Sequence, residues 1–396
     1  MTFRDPTEPY RQALVDKLKE KNLLHDPLIE AAFLTVPRHR FLPEDTPLEQ
    51  VYADDVVAIK RDADGTVLSS SSQPSMMAMM LNQLRLQPGQ NILEIGAGTG
   101  YNAALLQHIV GDEGNVTSLD IDNEMVQLAQ KNLQRAGYGS IVRVVAADGA
   151  LGYAPRASYD RIIATVGVWN IPAAWVKQLK PRGLIIAPLW LDSIQVSGSF
   201  QLQADNSLLS QDNLPCGFIR LRGTEAGPVV SQRIGSSSLI LTSNAVRALD
   251  SSALHVLFSE DGEDNLLDMR LTASDYWSGF VPYLILNVPQ GFTFAVYNLS
   301  ANEQAYGIEG HGFALITFGS ACFVPYAGHG EVRSFGAPDS FMALQGLLAE
   351  WDAAKRPGSE RLRLRLIPMS DSPPVIDSGK LYVRKDHYLH AWQDMR

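Results

Sequence analysis

The spacing of apolar residues changes along the chain and predicts two kinds of region. Between residues 8 and 35 the apolar positions recur at helical spacing, which predicts two short helices joined near residues 25–27. From residue 91 onward, short apolar runs predict strands and the segments between them predict helices. We expect strands at 91–95, 116–119, 141–146, 161–165 and 184–188, and helices at 101–110 and 124–136. This alternation indicates an α/β fold with right-handed crossovers and a mostly parallel sheet.

The alternation stops near Trp190, and the pattern after it is different. Short strand-like runs at 237–241, 280–288 and 293–297 are separated by Gly, Pro and Asn, which favour turns. One helix at 340–354 precedes a strand at 361–366, in which arginine alternates with leucine. The change predicts a second domain of α+β, β-rich type.

Composition excludes several classes of protein. The 396 residues are 45% hydrophobic and carry a net charge of −10, which argues against binding to a nucleic-acid backbone as the main activity. Cys216 and Cys322 are the only cysteines and form no CxxC motif, and His311 and His329 lie in Gly-rich loops without ligand spacing. We therefore expect neither a metal site nor a disulfide scaffold.

Targeting patterns are not evident in the sequence. The first residues, MTFRDPTEPY, do not follow a basic-then-apolar signal pattern, and no run of about 18 apolar residues occurs. We expect a cytoplasmic protein that does not enter a membrane. The sequence does not indicate its oligomeric state.

A glycine-rich turn joins the first predicted strand of the α/β region to a helix. Gly96, Gly98 and Gly100 form a GxGxG pattern, in which missing Cβ atoms let a ligand approach the backbone. Asp120 follows about twenty residues later, at the end of the next strand, where it can accept hydrogen bonds from ribose hydroxyls. A nucleotide-type ligand is indicated, although dinucleotide sites favour GxGxxG.

These features, with an acid before the glycines and Ala-Asp-Gly at 147–149, resemble the class I S-adenosylmethionine-dependent methyltransferases, which have a Rossmann-like fold. The resemblance implies that S-adenosyl-L-methionine is the cofactor and that S-adenosyl-L-homocysteine is its product. In that superfamily an acid after the third strand lies near the adenine amino group. Orientation of the loop is an alternative role for Glu94. The implied cofactor-binding residues are Glu94, Gly96, Ala97, Gly98, Gly100, Asp120, Ile121, Asp148 and Gly149.

Several ordered blocks make a closer resemblance. The blocks VPRHRFLP at 36–43, YAD at 52–54, SQP at 72–74, DGALGY at 148–153 and YDRIIAT at 159–165 occur in order. Over roughly residues 8–190 the chain is similar to the protein-L-isoaspartate O-methyltransferases. The resemblance implies that Ser72 lies between the cofactor and the acceptor carboxylate and is the catalytic residue. It further implies acceptor binding by Ser71, Gln73, Val166, Gly167 and Val168.

Some residues depart from the family pattern on the acceptor side. Ser70 and Ser71 stand where the family has a Thr-Ile-like pair, and Ser75 stands where His is common. Trp169 occurs in a loop that usually contains small residues. We expect the serine run at 69–72 to form a polar loop, and the same reaction to act on a different peptide.

The C-terminal half carries a second resemblance. The stretch LPCGFIRLRG at 214–223, Trp351 and the Arg-Leu strand resemble isoaspartate-methyltransferase homologues associated with ribosomal peptide natural products, such as lanthipeptides, graspetides and lasso peptides. This resemblance implies methylation of an aspartate in a macrocyclised peptide, followed by collapse to aspartimide and opening to isoaspartate. We divide the chain into an N-terminal helical cap and substrate segment at 1–60, a methyltransferase core at 61–192 and a peptide-recognition domain at 193–396.

Two alternatives remain open. The first is general repair of proteins that contain L-isoaspartyl or D-aspartyl residues, by the same chemistry. The second is a cofactor-binding scaffold without turnover, against which intact Gly96, Gly98, Asp120 and Ser72 count. In the peptide-tailoring and repair hypotheses, the partner is a peptide or protein with Asp or isoaspartate.

Overall fold

The computed structural model describes residues 5–245, 249–300, 303–328, 330–370 and 372–394; His329 therefore lies outside the described residues. The N-terminal segment contains the two predicted helices. Asp26 caps the second, because its side chain accepts a hydrogen bond from the Leu28 amide at 2.9 Å. The elements are α1 (Glu8–Glu20), α2 (Pro27–Thr35), α3 (Leu48–Val51), β1 (Val57–Arg61), β2 (Val67–Ser71) and α4 (Pro74–Leu84).

The serine run lies in a strand rather than in the expected loop. Ser69, Ser70 and Ser71 belong to β2, which pairs antiparallel with β1. Ser69 and Ser71 are buried, so their side chains pack inside the protein. A run of serines has no apolar periodicity from which a strand could be predicted. These residues form a strand because they pair with β1.

The α/β region agrees closely with the predicted strands and helices. Its elements are β3 (Asn91–Ile95), α5 (Tyr101–Val110), β4 (Asn115–Asp120), α6 (Asn123–Ala136), β5 (Val142–Ala146), β6 (Tyr159–Ala164), α7 (Ala173–Gln178) and β7 (Leu179–Leu191). The strands β7, β6, β3, β4 and β5 are neighbours in that order and pair in parallel. The predicted mostly parallel sheet is confirmed.

The chain after β7 is rich in strands, as predicted. Its elements are β8 (Ile194–Leu202), β9 (Leu208–Cys216), β10 (Ser231–Arg233), β11 (Ile240–Thr242), α8 (Ser251–Phe258), β12 (Glu263–Leu266), α9 (Val281–Asn287), β13 (Thr293–Asn298), β14 (Gln304–Ala305), β15 (Ile308–Glu309), β16 (His311–Thr317), β17 (Ser320–Pro325), β18 (Glu331–Gly336), α10 (Asp339–Ala353), β19 (Leu362–Pro368), β20 (Lys380–Val383) and β21 (His387–Gln393). Among the described residues, no helix is long and apolar enough to span a bilayer.

The strands form two large sheets. Five C-terminal strands extend the parallel sheet on its β7 side, and the full order of ten is β20-β21-β19-β9-β8-β7-β6-β3-β4-β5. The second sheet has seven antiparallel strands in the order β10-β11-β13-β16-β17-β18-β12. The boundary placed between residues 192 and 193 falls in the turn between β7 and β8, so backbone pairing continues across it.

The predicted strand at 280–288 is wrong. These residues form α9, and a π-helical turn, Asp275–Phe280, precedes it. Val281, Leu284 and Ile285 are completely buried, and Pro282 occupies the first turn of the helix, where its missing amide is tolerated. A short continuous apolar run does not distinguish a strand from a fully buried helix.

Arg38 is fully buried and joins three parts of the N-terminal half. Its Nε donates to the Val51 carbonyl at 2.9 Å, and its Nη2 donates to the Ser72 carbonyl at 3.1 Å. Its guanidinium carbon also lies 5.1 Å from the centre of the Tyr101 ring on α5. The chain at the start of α4 is therefore held against α3 and α5.

We expect Arg38→Met to lower the free energy of unfolding by about 2–6 kcal/mol, because a buried carbonyl at Val51 and a partly buried carbonyl at Ser72 lose their donors at about 1–3 kcal/mol each. Chemical denaturation would measure the loss. Arg40→Met is the matched control, since exposed Arg40 donates to the Arg135 carbonyl and should contribute less than about 1 kcal/mol. Equal losses in the two variants would contradict the role assigned to Arg38.

Candidate active site

A cavity of about 520 Å³ lies at the carboxyl ends of the parallel strands. This position and volume are typical of small-molecule sites in α/β folds. Of the residues predicted from the sequence, the cavity is lined by Ser71, Ser72, Gln73, Gly96, Ala97, Gly98, Asp120, Ile121, Gly149 and Val166. Outside its lining lie Glu94, Gly100, Asp148, Gly167 and Val168.

The glycine turn is held open by hydrogen bonds to the end of β4. The Gly96 and Ala97 amides donate to the Leu119 carbonyl at 2.8 and 2.9 Å. Gly96 has φ +100°, and a Cβ there would lie 2.7 Å from Thr165 Oγ1, so only glycine fits. At Gly96 the backbone therefore borders the cavity with no side chain in between, as close approach of a nucleotide-type ligand requires.

Asp120 lies beside this turn and lines the cavity. Its Oδ2 accepts from the Gly98 amide at 3.0 Å, and its Oδ1 accepts from the Asp122 amide at 3.0 Å. Each carboxylate oxygen has a further lone pair that can accept a hydrogen bond. The carboxylate is thus fixed in place and can still accept ribose hydroxyls, which fits the ligand implied by the sequence.

Glu94 is completely buried and does not line the cavity. Asn102 Nδ2 donates to its Oε1 at 2.7 Å, and the Ser118 hydroxyl donates to its Oε2. Burial raises the pKa of Glu94 to about 7. These contacts join β3, β4 and α5, and favour orientation of the glycine turn over direct contact with a ligand. Gly100 likewise packs against α6, where a Cβ would lie 3.2 Å from the Ala129 carbonyl oxygen.

The Asp148 carboxylate accepts hydrogen bonds from a segment far along the chain, a contact that the sequence analysis did not predict. Its Oδ1 accepts from the Ala150 amide at 3.0 Å, and its Oδ2 accepts from the Thr224 amide at 2.9 Å and hydroxyl at 2.8 Å. Thr224 belongs to residues 217–225, which follow β9 and which we call the strap. The Asp148 carboxylate therefore faces the strap, and its contact with an adenine amino group stays a prediction.

The strap covers one side of the cavity and pairs with the loop after β6, residues 165–170, which we call the acceptor loop. The Gly167 amide donates to the Ile219 carbonyl at 2.8 Å, and the Leu221 amide donates to the Gly167 carbonyl at 2.9 Å. The Val168 amide donates to the Pro188 carbonyl at 2.7 Å. Within the described chain the Val166 amide has no acceptor, so it is the one of these three amides that remains available to a ligand.

The Ser72 hydroxyl lines the cavity and has no hydrogen-bond partner within the ranges that the structure describes. Its backbone is fixed by Arg38, and the next turn of the chain is fixed by Asp54. The Asp54 carboxylate accepts from the Ser75 amide at 2.8 Å and also from the Ser75 hydroxyl and the Lys21 ammonium group. Ser75 is therefore buried against Asp54 and does not line the cavity.

The cavity lining also contains three arginines that the sequence analysis did not assign to the site: Arg61, Arg220 and Arg222. Arg220 is half-buried, and burial lowers its pKa. Its Nη2 donates to the carbonyls of Ala226 and Pro228, and no carboxylate among the described residues forms an ion pair with it. The basic pattern FIRLRG was the available signal. We call the antiparallel pair β20–β21 with its turn at 384–386 the C-terminal hairpin. Trp169, expected on the acceptor side, lies outside the cavity lining and contacts Arg384 of this hairpin instead.

Glu94 makes stability depend on pH. Its folded-state pKa of about 7 exceeds the ordinary value of 4.5, so between these values the folded protein retains a proton that the unfolded chain loses. Its contribution to stability is therefore present below about pH 4.5 and is lost as the pH rises through 7. We expect the wild type to lose on the order of 1–3 kcal/mol relative to Glu94→Gln between pH 5 and 8 in denaturation experiments.

Glu113→Gln is the matched control for this measurement, because Glu113 is exposed. Its pH profile should parallel that of the wild type. A wild-type profile parallel to that of Glu94→Gln would contradict the assigned pKa.

Comparison with known proteins identifies the family and the fold. A family model described as protein-L-isoaspartate(D-aspartate) O-methyltransferase matches residues 9–226. A protein-L-isoaspartate O-methyltransferase of Methanopyrus kandleri is 34% identical over 215 residues, which are 54% of this chain and 92% of that protein. One of Thermotoga maritima is 41% identical over 196 residues, which are 49% of this chain and 61% of that protein.

A solved structure of a protein-L-isoaspartate O-methyltransferase extends the match beyond residue 226. It aligns with a TM-score of 0.52 and 26% identity, and it covers 90% of this chain and 96% of its own. A C-terminal extension thus also occurs in a protein named for isoaspartate methylation, and its presence alone does not indicate peptide tailoring. The chain belongs to the protein-L-isoaspartate O-methyltransferase family, and it is an enzyme with the class I fold that uses S-adenosylmethionine.

Proposed function

We propose that this enzyme methylates an aspartate side-chain carboxylate in a macrocyclised peptide, and that the ester then leads to aspartimide and isoaspartate. The observation that supports this choice of acceptor is Arg220, a cation in the cavity lining that contacts two carbonyls and the Trp190 ring but has no carboxylate partner among the described residues. The methyl transfer itself follows from the family.

When bound, S-adenosylmethionine supplies a methyl group on a positively charged sulfur. The acceptor carboxylate is ionised at neutral pH and needs no general base to attack it. The new bond joins the carboxylate oxygen to the methyl carbon, and the carbon–sulfur bond breaks with its electron pair left on sulfur. A negative and a positive charge disappear together, so exclusion of water and in-line placement are the main requirements.

Ser72 and Val166 are the groups best placed to hold the carboxylate. Both line the cavity, and neither the Ser72 hydroxyl nor the Val166 amide has a partner among the residues described. Each can donate a hydrogen bond to the acceptor oxygen that does not attack. Asp120 would bind the ribose, and the bare backbone at Gly96 would allow the donor to approach.

The fate of the ester follows from ordinary chemistry. The backbone nitrogen of the residue after the esterified aspartate attacks the ester carbonyl, a carbon–nitrogen bond forms, and the carbon–methoxy bond breaks. Methoxide leaves with the amide proton as methanol, and the product is a five-membered imide. Water can open the imide to aspartate or to isoaspartate, so no further group of the enzyme is required.

Arg220 supports a preference for acidic acceptors. A half-buried cation without an anionic partner is unfavourable, so an anion that enters the cavity is stabilised by it. Arg61 adds positive charge to the same lining, whereas Arg222 is paired with Asp120 at 4.0 Å and with Asp122 at 3.8 Å. An enzyme that accepts diverse damaged proteins gains little from this charge, whereas one that selects a peptide with a second acidic residue gains affinity.

General repair of L-isoaspartyl proteins is the second candidate. The match to a solved protein-L-isoaspartate O-methyltransferase over 90% of this chain favours it, since that protein also has the extension. The chemistry at Ser72 and Asp120 would be the same. A scaffold without turnover does not agree with membership in a family of methyltransferases.

Acceptor choice can be measured directly. The enzyme would receive S-adenosylmethionine with a linear isoaspartyl peptide, or with a macrocyclised aspartyl peptide that carries a second acidic residue, and ester formation would be followed by mass. We expect kcat/KM to be at least about tenfold higher for the cyclised peptide, a difference of about 1.4 kcal/mol. Equal or faster methylation of the isoaspartyl peptide would establish repair instead, and no methylation of either would favour the scaffold.

Arg220→Met tests the charge argument within the same experiment. It should remove most of the preference for the acidic cyclised peptide over a version with a neutral second residue. Arg363→Met is the matched control, because Arg363 donates to the carbonyls of Glu360 and Leu362 and does not line the cavity. A preference that survives in Arg220→Met would show that this arginine does not choose the acceptor.

Ser72→Ala separates positioning of the acceptor from binding of the donor. We expect kcat to fall by about 10²–10³, the range for loss of one preorganised donor, while the affinity for S-adenosylhomocysteine changes less than about twofold. Turnover assays and calorimetry would measure the two quantities. Parallel losses of turnover and affinity would show that Ser72 serves the cofactor.

A further inference from the structure

The turn between β20 and β21 contacts the acceptor loop from the C-terminal side. Arg384 in this turn is only 4% exposed, and its Cζ lies 3.9 Å from the ring centre of Trp169. Its Nη2 donates to the Trp190 carbonyl at 2.9 Å. One buried guanidinium therefore contacts both the acceptor loop and the end of β7.

The other residues of this turn make contacts in the same region. Asn170 Nδ2 donates to Asp386 Oδ2 at 3.1 Å, and His387 Nδ1 lies 3.3 Å from Asn170 Oδ1. Lys385 forms an ion pair with Glu225 of the strap. The turn thus holds the acceptor loop at two successive residues and the strap at one.

The contacts of Arg384 lie close in the chain to the cavity. Trp169 is three residues from Val166, which lines the cavity. The Trp190 amide donates to the Val168 carbonyl at 3.0 Å, and the Trp190 carbonyl accepts from Arg384. The same guanidinium therefore contacts the side chain that follows Val168 and the strand residue whose amide donates to the Val168 carbonyl.

The Arg384 guanidinium is buried and donates a single hydrogen bond to the part of the chain that the structure describes. No carboxylate among the described residues forms an ion pair with it, and its Nε is buried without a hydrogen-bond partner. Burial lowers its pKa to about 10. An apolar side chain of similar size would stabilise such a site at least as well. A planar guanidinium, however, can stack on a ring and donate a hydrogen bond at the same time.

We propose that Arg384 is a positioning residue for acceptor binding, which holds the acceptor loop through Trp169 and Trp190. The C-terminal hairpin thereby sets the position of Val166 without contacting the cofactor side of the cavity. The inference rests on methyl transfer to a carboxylate at this cavity, and it is independent of whether the acceptor is aspartyl or isoaspartyl.

The test compares Arg384→Met and Arg384→Lys with the wild type, using whichever peptide the wild type methylates. Loss of the stacked contact and one hydrogen bond is about 1–2 kcal/mol, so KM for the acceptor should rise by roughly 5–30-fold. The affinity for S-adenosylhomocysteine should change less than about twofold. Lysine should not rescue the effect, because it keeps the charge and lacks the planar group.

Arg365→Met is the matched control. Arg365 lies on β19 of the same sheet and binds Asp205 at 2.6 Å and Ser207 at 3.1 Å, outside the cavity lining. It should leave KM for the acceptor unchanged. A double-mutant cycle of Arg384→Met with Trp169→Leu should show strong non-additivity, because both changes remove one contact. Additive losses, equal loss of cofactor affinity, or the same KM change in Arg365→Met would overturn the proposal.

Amide hydrogen exchange gives a readout that does not depend on turnover. The Gly167, Val168 and Trp190 amides are hydrogen-bonded in the structure and should exchange faster in Arg384→Met than in Arg365→Met. Unchanged exchange at residues 165–170 would overturn the positioning role even if no acceptor has been found. A wild type that methylates neither peptide, with faster exchange in Arg384→Met, would instead refute the proposed function and retain the positioning role.

Discussion

The antiparallel pairing of β7 with β8 determines how the two halves of this enzyme meet. The parallel sheet ends at β7, and β8 pairs with it from Leu184–Gln201 to Leu191–Ile194. Because β9, β19, β21 and β20 then add to β8 in turn, the C-terminal half continues the catalytic sheet. The strap follows directly from β9, and the β20–β21 turn reaches Trp190 at the end of β7. The cavity is therefore lined by residues from both halves of the chain.

Two buried arginines contact segments that border this cavity. Arg38 fixes the Ser72 carbonyl from the N-terminal segment, and Arg384 fixes Trp169 and Trp190 from the C-terminal hairpin. The donor side is organised differently, by carboxylates: Glu94 joins three elements and Asp120 holds the Gly98 amide. Rigid elements on both sides suit a reaction that depends on in-line placement rather than on an acid or a base.

Local sequence patterns predicted the parts of the fold and the site that depend on neighbouring residues. The strands and helices from 91 to 188 follow their apolar periodicity, and Gly96, Ser72 and Asp120 line the cavity, while their roles stay predictions. The prediction of a strand at 280–288 was wrong, because a helix that is buried on all sides shows no apolar periodicity. Contacts between Asp148 and Thr224, 76 residues apart, and between Asn170 and Asp386, 216 residues apart, follow from sheet order, which no local pattern records.

The contacts of the C-terminal half indicate which part of the reaction it affects. Asp386 and Arg384 contact Asn170 and Trp169 of the acceptor loop, and the strap pairs with Gly167 of that loop. The glycine turn, by contrast, is held by Leu119 and Asp120 within the core. Since a solved relative shares most of the extension, its presence does not distinguish repair from tailoring. Ser70 and Ser71 of the core and Arg220 of the extension all line the cavity, and Arg220 has no carboxylate partner among the residues described.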